Sequence, residues 1–115
     1  MKRTPLRPIS RRRRNQQHAR QQVVALVHDR DRYCQFWDYV WDSSARLPGD
    51  LATAPKDCCL PLDVHEIIPR SAWALGYLEP TNCVLLCRGH HGWVGDNPAE
   101  AHRLGLHGFS WERPA

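Results

Sequence analysis

What this chain of 115 residues has little of already narrows its reading. Long apolar runs are missing. The only one near the N-terminus, Val23 to Val27, is too short for the core of a secretory signal and far too short to cross a bilayer. A reducing cytoplasm with no membrane partner is therefore the expected setting. No internal repeat is visible. Apolar material is also scarce: mean hydropathy is −0.59, and a single domain this small is marginal on burial alone. Nine prolines and seven glycines add the expectation of a loop-rich fold that needs a staple. An even cysteine count is lacking too. Five thiols in a reducing compartment point to metal binding before disulfides.

Acidic residues are scarce at one end. Residues 1–32 carry ten Lys or Arg against Asp29 and Asp31, a balance of +8, whereas residues 33–115 carry six against ten acids, a balance of −4. The net charge of +4 is thus a property of the N-terminus, and it predicts a polyanion partner met by an N-terminal arm. Residues 1–15 have too few apolar side chains to pack and are expected to be disordered in isolation. From Gln16 to Arg32, Ala19, Val23, Leu26 and Val27 recur at helical spacing. His18 and His28 fall outside that stripe, as surface histidines.

Tyr33, Phe36, Trp37, Tyr39 and Trp41 surround Cys34 and are expected to fill the core, with base stacking as the other use of such a cluster. Residues 42–57 read as a long surface loop, part of an insertion over about 38–57. The β-branched run Val64, Ile67, Ile68 between Pro61 and Pro69 predicts a strand, one arm of a hairpin. Val84 to Leu86 is a short buried run, and residues 88–94 should be helical. Asn97-Pro98 opens a further helix that stops at Gly105. Leu104, Leu106, Phe109 and Trp111 are expected to fold back onto the core.

Cys34, Cys58, Cys87 and His90 make a four-ligand zinc set, because thiolates and imidazole suit a tetrahedral ion and Cys87-x-x-His90 has the spacing of a zinc knuckle. Cys59 is an alternative to Cys58, and His91 to His90. Cys83 reads as a small buried residue. Separately, His65 and Glu66 stand side by side on the expected strand, Asn82 follows a loop, and His91 opens a helix. Such a set suits metal-assisted attack of water on a phosphodiester.

Asp63-Val-His65-Glu66-Ile67, Asn82 and Cys87-Arg-Gly-His90-His91, with the tail from Trp93 to Leu106, resemble the HNH endonucleases, in particular the small zinc-containing ones of bacteriophages. The resemblance covers roughly Cys58 to Leu106. It implies an α+β fold with a ββα-metal (HNH, His-Me finger) core, a zinc-knuckle structural site, an N-terminal helix and a short C-terminal helix. It also implies His65 and His91 as ligands of a catalytic divalent cation, Glu66 at the general-base position, and Asn82 orienting the loop or helping to bind the metal. The implied reaction hydrolyses DNA to 5′-phosphate and 3′-hydroxyl ends. A phage terminase or portal protein is the implied larger partner.

Two positions depart from the family pattern. Glu66 replaces the usual His, a base weaker by about two pKa units; the roles could also be exchanged, His65 taking the proton. Gly95 stands where many relatives have another His, and Asp96 is the nearest replacement oxygen in sequence. An ion with so few protein ligands keeps several waters, which suits Mg²⁺ or Mn²⁺. The competing function is a non-catalytic, zinc-stapled nucleic-acid-binding module.

Overall fold

The computed structural model describes residues 8–43, 51 and 53–114. Its first element, α1, runs Arg11–Asp31, beginning ahead of the apolar pattern that predicted it. Ser10 caps it: the backbone N–H of Arg13 donates to the Ser10 hydroxyl at 3.2 Å. Arginine is a good helix former, so a cap one residue before the Arg11–Arg14 run lets the helix start there. The arm expected to be disordered over residues 1–15 is therefore helical from Arg11. Residues 1–7 lie outside the described residues.

Two strands follow, β1 (Leu62–Glu66) and β2 (Cys83–Cys87), paired antiparallel with Leu62 opposite Cys87 and Glu66 opposite Cys83. Alternation along the strands sorts their side chains onto two faces. Leu62, Val64, Cys83 and Leu85 meet Val23 and Val27 of α1. On the other face Val84 and Leu86 join Phe36, Trp93, Val94, Ala101, Leu104 and Leu106. Leu85 and Val27 are fully buried, each worth about 1.5–3 kcal/mol of transfer free energy. A two-stranded sheet with helices on both faces makes this a small α+β domain.

The C-terminal end of α1 is bolted to β2 by charge. Asp31 would be unfavourable at a helix C-terminus, but its carboxylate accepts from the Leu85 N–H at 3.0 Å and pairs with Arg30 at 2.7 Å. Burial pushes the Asp31 carboxyl up, and these partners outweigh it and hold it below the ordinary carboxylate value. Arg30 reaches on to the carbonyls of Pro80 and Cys83.

Helix α2 (Phe36–Asp42) occupies the start of the expected insertion, whose residues 44–50 and 52 lie outside the described residues. Of the aromatic cluster, Phe36 is fully buried and Trp37 and Tyr39 pack beside it, but Tyr33 and Trp41 are 65% and 85% exposed. The stripe on α1 is likewise narrower than its sequence suggests, since Leu26 is exposed. Two 3₁₀ turns, Gly76–Leu78 and Pro80–Asn82, fill the connection between the strands. Helix α3 (Arg88–Asp96) starts directly at the end of β2, and α4 (Pro98–Arg103) follows. Asn97 precedes α4 as expected, yet its side chain turns back to donate to the Trp93 carbonyl instead of capping. Gly105 ends this part with φ +80°, where a side chain would be strained. Leu104 and Leu106 are buried, whereas Trp111, expected in the core, stacks on Phe109 and stays exposed. Among the described residues no helix is long and apolar enough to cross a membrane.

Candidate functional site

The turn from β2 into α3 carries most of the chemistry. Cys87 is the last residue of β2 and the N-cap of α3, so its sulfur accepts from the backbone N–H of His90. This turn aims Cys87 Sγ and His90 Nδ1 at one point, 3.1 Å apart. Cys34, just before α2, and Cys58, in the approach to β1, arrive at the same point with their sulfurs 3.5 and 3.7 Å from His90 Nδ1. All four donor atoms lie within 4.8 Å of one another. Donors of a tetrahedral zinc stand roughly 3.5–3.8 Å apart, so the set could hold such an ion with little adjustment.

The surroundings select the same use. His90 is fully buried, stacked face to face on Phe36 with centroids 4.1 Å apart and edge-on to Trp37. Its Nε2–H donates to the Pro55 carbonyl at 2.6 Å, which leaves Nδ1 as the lone-pair side, facing the thiols. Burial lowers the His90 pKa and favours that neutral ring. Cys58 is pushed up to about 12, by desolvation first and then by the neighbouring sulfurs. Burial raises Cys87 too, but hydrogen bonds from the His90 backbone and the other thiols outweigh it and hold Cys87 below its ordinary value. A bound cation would bring the remaining thiols to the thiolate form. Cys59 takes no part: its sulfur accepts from the Gly89 N–H at 3.2 Å. Of the two adjacent thiols Cys58 joins the cluster, and of the two adjacent imidazoles His90 does.

A second group lies one residue further along α3. The ring of His91 faces that of His65 across 5.2 Å at 69°. Asp63, two residues before His65 and so on the same face of β1, brings Oδ2 to 3.5 Å from His91 Nδ1. Arg88 holds that carboxylate with two further contacts of 3.2 and 3.3 Å, chiefly responsible for keeping Asp63 below the ordinary carboxylate value. His65 is 8% exposed, and its Nε2 lies 2.6 Å from the Leu106 carbonyl, which it can approach only as a donor. Its pKa is lowered, by burial first and also by His91. His65 is therefore a neutral ring at neutral pH with Nδ1 as its acceptor. His91 is half-exposed, so the group opens to solvent.

Two of the expected site residues are elsewhere. Glu66 follows His65 on a strand and so faces the other way, toward α1, where it pairs with Arg70 at 2.9 Å and Arg20 at 3.7 Å. That position removes it from the His65–His91 group, in contrast to the expectation of a base at Glu66. Asn82 is buried and its amide is spent on backbone: Oδ1 accepts from the Ile68 N–H, and Nδ2 donates to the Ile68 and Gly76 carbonyls. It pins the connection between the strands, the first of its two expected roles. Gly76 permits this, since a Cβ there would come within 2.8 Å of Asn82 Nδ2. The carboxylate brought to His91 is that of Asp63 and not of Asp96. Asp63 was missed in the sequence, although the i, i+2 rule for strands places it on the His65 face. Comparison of the chain with family models, curated proteins and solved structures found no match.

Proposed function

We propose that the chain is a metal-dependent phosphodiester hydrolase acting on DNA, with the Cys34, Cys58, Cys87, His90 cluster as a structural zinc site and the His65–His91 group as the reacting one. The observation that supports this best is the pairing of His65 on β1 with His91 on the first turn of α3, beside a separate closed cluster. In this reading Asp63 and His91 hold a divalent cation such as Mn²⁺ or Mg²⁺. Their 3.5 Å separation suits two donors to one ion, and a carboxylate beside an imidazole suits Mn²⁺ better than Mg²⁺. When bound, such a cation supplies Lewis-acid polarisation of a phosphate oxygen. The residues do the rest. His65, neutral and with Nδ1 as its acceptor, takes the proton of the attacking water as the water oxygen bonds to phosphorus. The P–O3′ bond breaks, and the departing 3′ oxygen takes up a proton from solvent. The Leu106 carbonyl fixes the His65 tautomer and stabilises the cationic ring that results. Arg88 orients Asp63, and the helical arginines bring in the polyanion. Of the two assignments open in the sequence, the proton goes to His65, while Glu66 is left out.

The test is conversion of supercoiled plasmid by the zinc-loaded protein with Mn²⁺, Mg²⁺ or neither. Divalent-dependent nicking should fall at least 100-fold in His91→Ala and in His65→Ala, and stay within about threefold in Glu66→Gln. Nicking that needs no added cation, or that survives His91→Ala, would remove the enzyme. One observation favours the second reading, a non-catalytic binding module: the pairing of Glu66 with Arg70 and Arg20 takes the only residue at the family's base position out of play. That module would bind DNA and cut under none of these conditions.

A further inference from the structure

The side of the molecule away from His65 and His91 carries a groove of about 570 Å³ between α1 and the segment after β1. One wall is a helical stripe, Arg13, Gln16, Gln17, Arg20 and Gln21, whose spacing of three, one, three and one keeps all five on one side of α1. The other wall is Arg70 and Tyr77. Its lining residues are all polar or cationic, which favours a polar, negatively charged occupant. The two inner arginines are already fixed. Arg20 donates to the Tyr77 carbonyl at 2.6 Å, and the Arg70 guanidinium lies over the Tyr77 ring at 4.3 Å. The carboxylate of Glu66 lies between them and balances one of the two charges. Arg13 is exposed and belongs to none of the ion pairs among the described residues. Two net positive charges therefore face solvent across a groove whose remaining lining can both donate and accept hydrogen bonds.

We infer that this groove seats the sugar-phosphate backbone of a nucleic acid, with Arg13, Arg20 and Arg70 on phosphates and the glutamines on neighbouring oxygens or base edges. From Arg13 to Arg20 the helix rises about 10 Å, too long for one phosphate and suited to successive ones along a strand. Arg11, Arg12 and Arg14 extend the same charge beyond the groove. The inference rests on the nucleic-acid half of the proposed function and not on its chemistry, because the groove and the histidine pair lie on opposite faces of the sheet.

Binding is therefore measured without added divalent cation, in the zinc-loaded His91→Ala protein, by fluorescence anisotropy of labelled duplex and single-stranded DNA over a range of salt. Arg13→Glu should weaken binding at least tenfold and flatten the dependence of log affinity on log salt by about one unit. Arg70→Gln, on the other wall, should weaken it similarly. Arg103→Glu, an exposed reversal on α4, should cost less than about threefold. Equal losses in Arg13→Glu and Arg103→Glu would overturn the groove, and so would an unchanged affinity in Arg70→Gln. Polyglutamate competing as well as DNA would also overturn it, in favour of an acidic protein partner. A protein that binds in this way but never nicks leaves the groove standing and removes only the enzyme.

Discussion

Neighbouring residues in this chain have unlike surroundings. Cys58 and Cys59 are both exposed thiols, yet only Cys58 faces the other three donors, while Cys59 accepts from a backbone N–H. His90 and His91 are adjacent, and the first is sealed against Phe36 while the second opens to water. Such divisions yield a sharp prediction. The wild type and Cys59→Ser should each carry one zinc per chain by elemental analysis. Cys58→Ser should lose most of it and much of its folded signal, since structural zinc contributes on the order of 10 kcal/mol to small domains. Equal zinc content in the two serine variants would contradict the cluster. The same residues mark how far the sequence could be read. Residue types and spacing were enough to put Cys34, Cys58, Cys87 and His90 first, but not to dismiss the adjacent thiol Cys59 or the adjacent imidazole His91. That choice depends on which way a turn presents each side chain. Glu66 and His65 are divided in the same way: neighbours on a strand point to opposite faces, so Glu66 pairs with Arg70 and Arg20 while His65 faces His91.

Among the elements, β1 was legible in place but not in extent: it runs Leu62–Glu66 and leaves Ile67 and Ile68, two of the three β-branched residues that predicted it, beyond its end. The β2 run, α3 and α4 were legible in the sequence. The start of α1 was not, because a run of four arginines at a helix N-terminus opposes the helix dipole and reads as a solvated tail. The Ser10 cap and the packing of Val23 and Val27 offset that cost. The long connection between the strands was legible only as irregular. Its order comes from Asn82, which sits at its end and makes three hydrogen bonds back to backbone groups of Ile68 near its start and Gly76 at its middle. Asn82→Ala should therefore lower stability by roughly 2–3 kcal/mol in urea unfolding, since buried backbone groups lose their partner. Asn82→Asp should also be destabilising, because a carboxylate cannot donate to the Ile68 and Gly76 carbonyls. A change below about 0.5 kcal/mol in Asn82→Ala would mean that the connection is ordered by something else.

For the whole molecule, acid should act through its buried rings. The pKa values of His65 and His90 are lowered from 6.5 in the folded chain, chiefly by burial. Unfolded chains therefore bind protons that the folded one refuses, and stability should fall as pH drops below about 6.5, with no such loss between pH 7 and 8. Competition between protons and zinc for the thiols and for His90 adds in the same direction. Thermal unfolding at pH 7.5, 6.5 and 5.5 checks this, and NMR titration of the His65 ring separates the two contributions. A midpoint for that ring above 6.5 would contradict its neutral, donor-to-Leu106 state.

The α1 helix and its docking strand are far apart in the chain, with Asp31 bonded to Leu85 across 54 positions. During synthesis the arginine-bearing helix leaves the ribosome well before the strand that will cover Val23 and Val27. Its apolar stripe must wait, and the donors Cys87 and His90 that close the cluster come later still. Nascent chains are thus expected to pass through a stage in which the cationic surface exists before the fold does, a stage in which ribosomal RNA is the nearest polyanion.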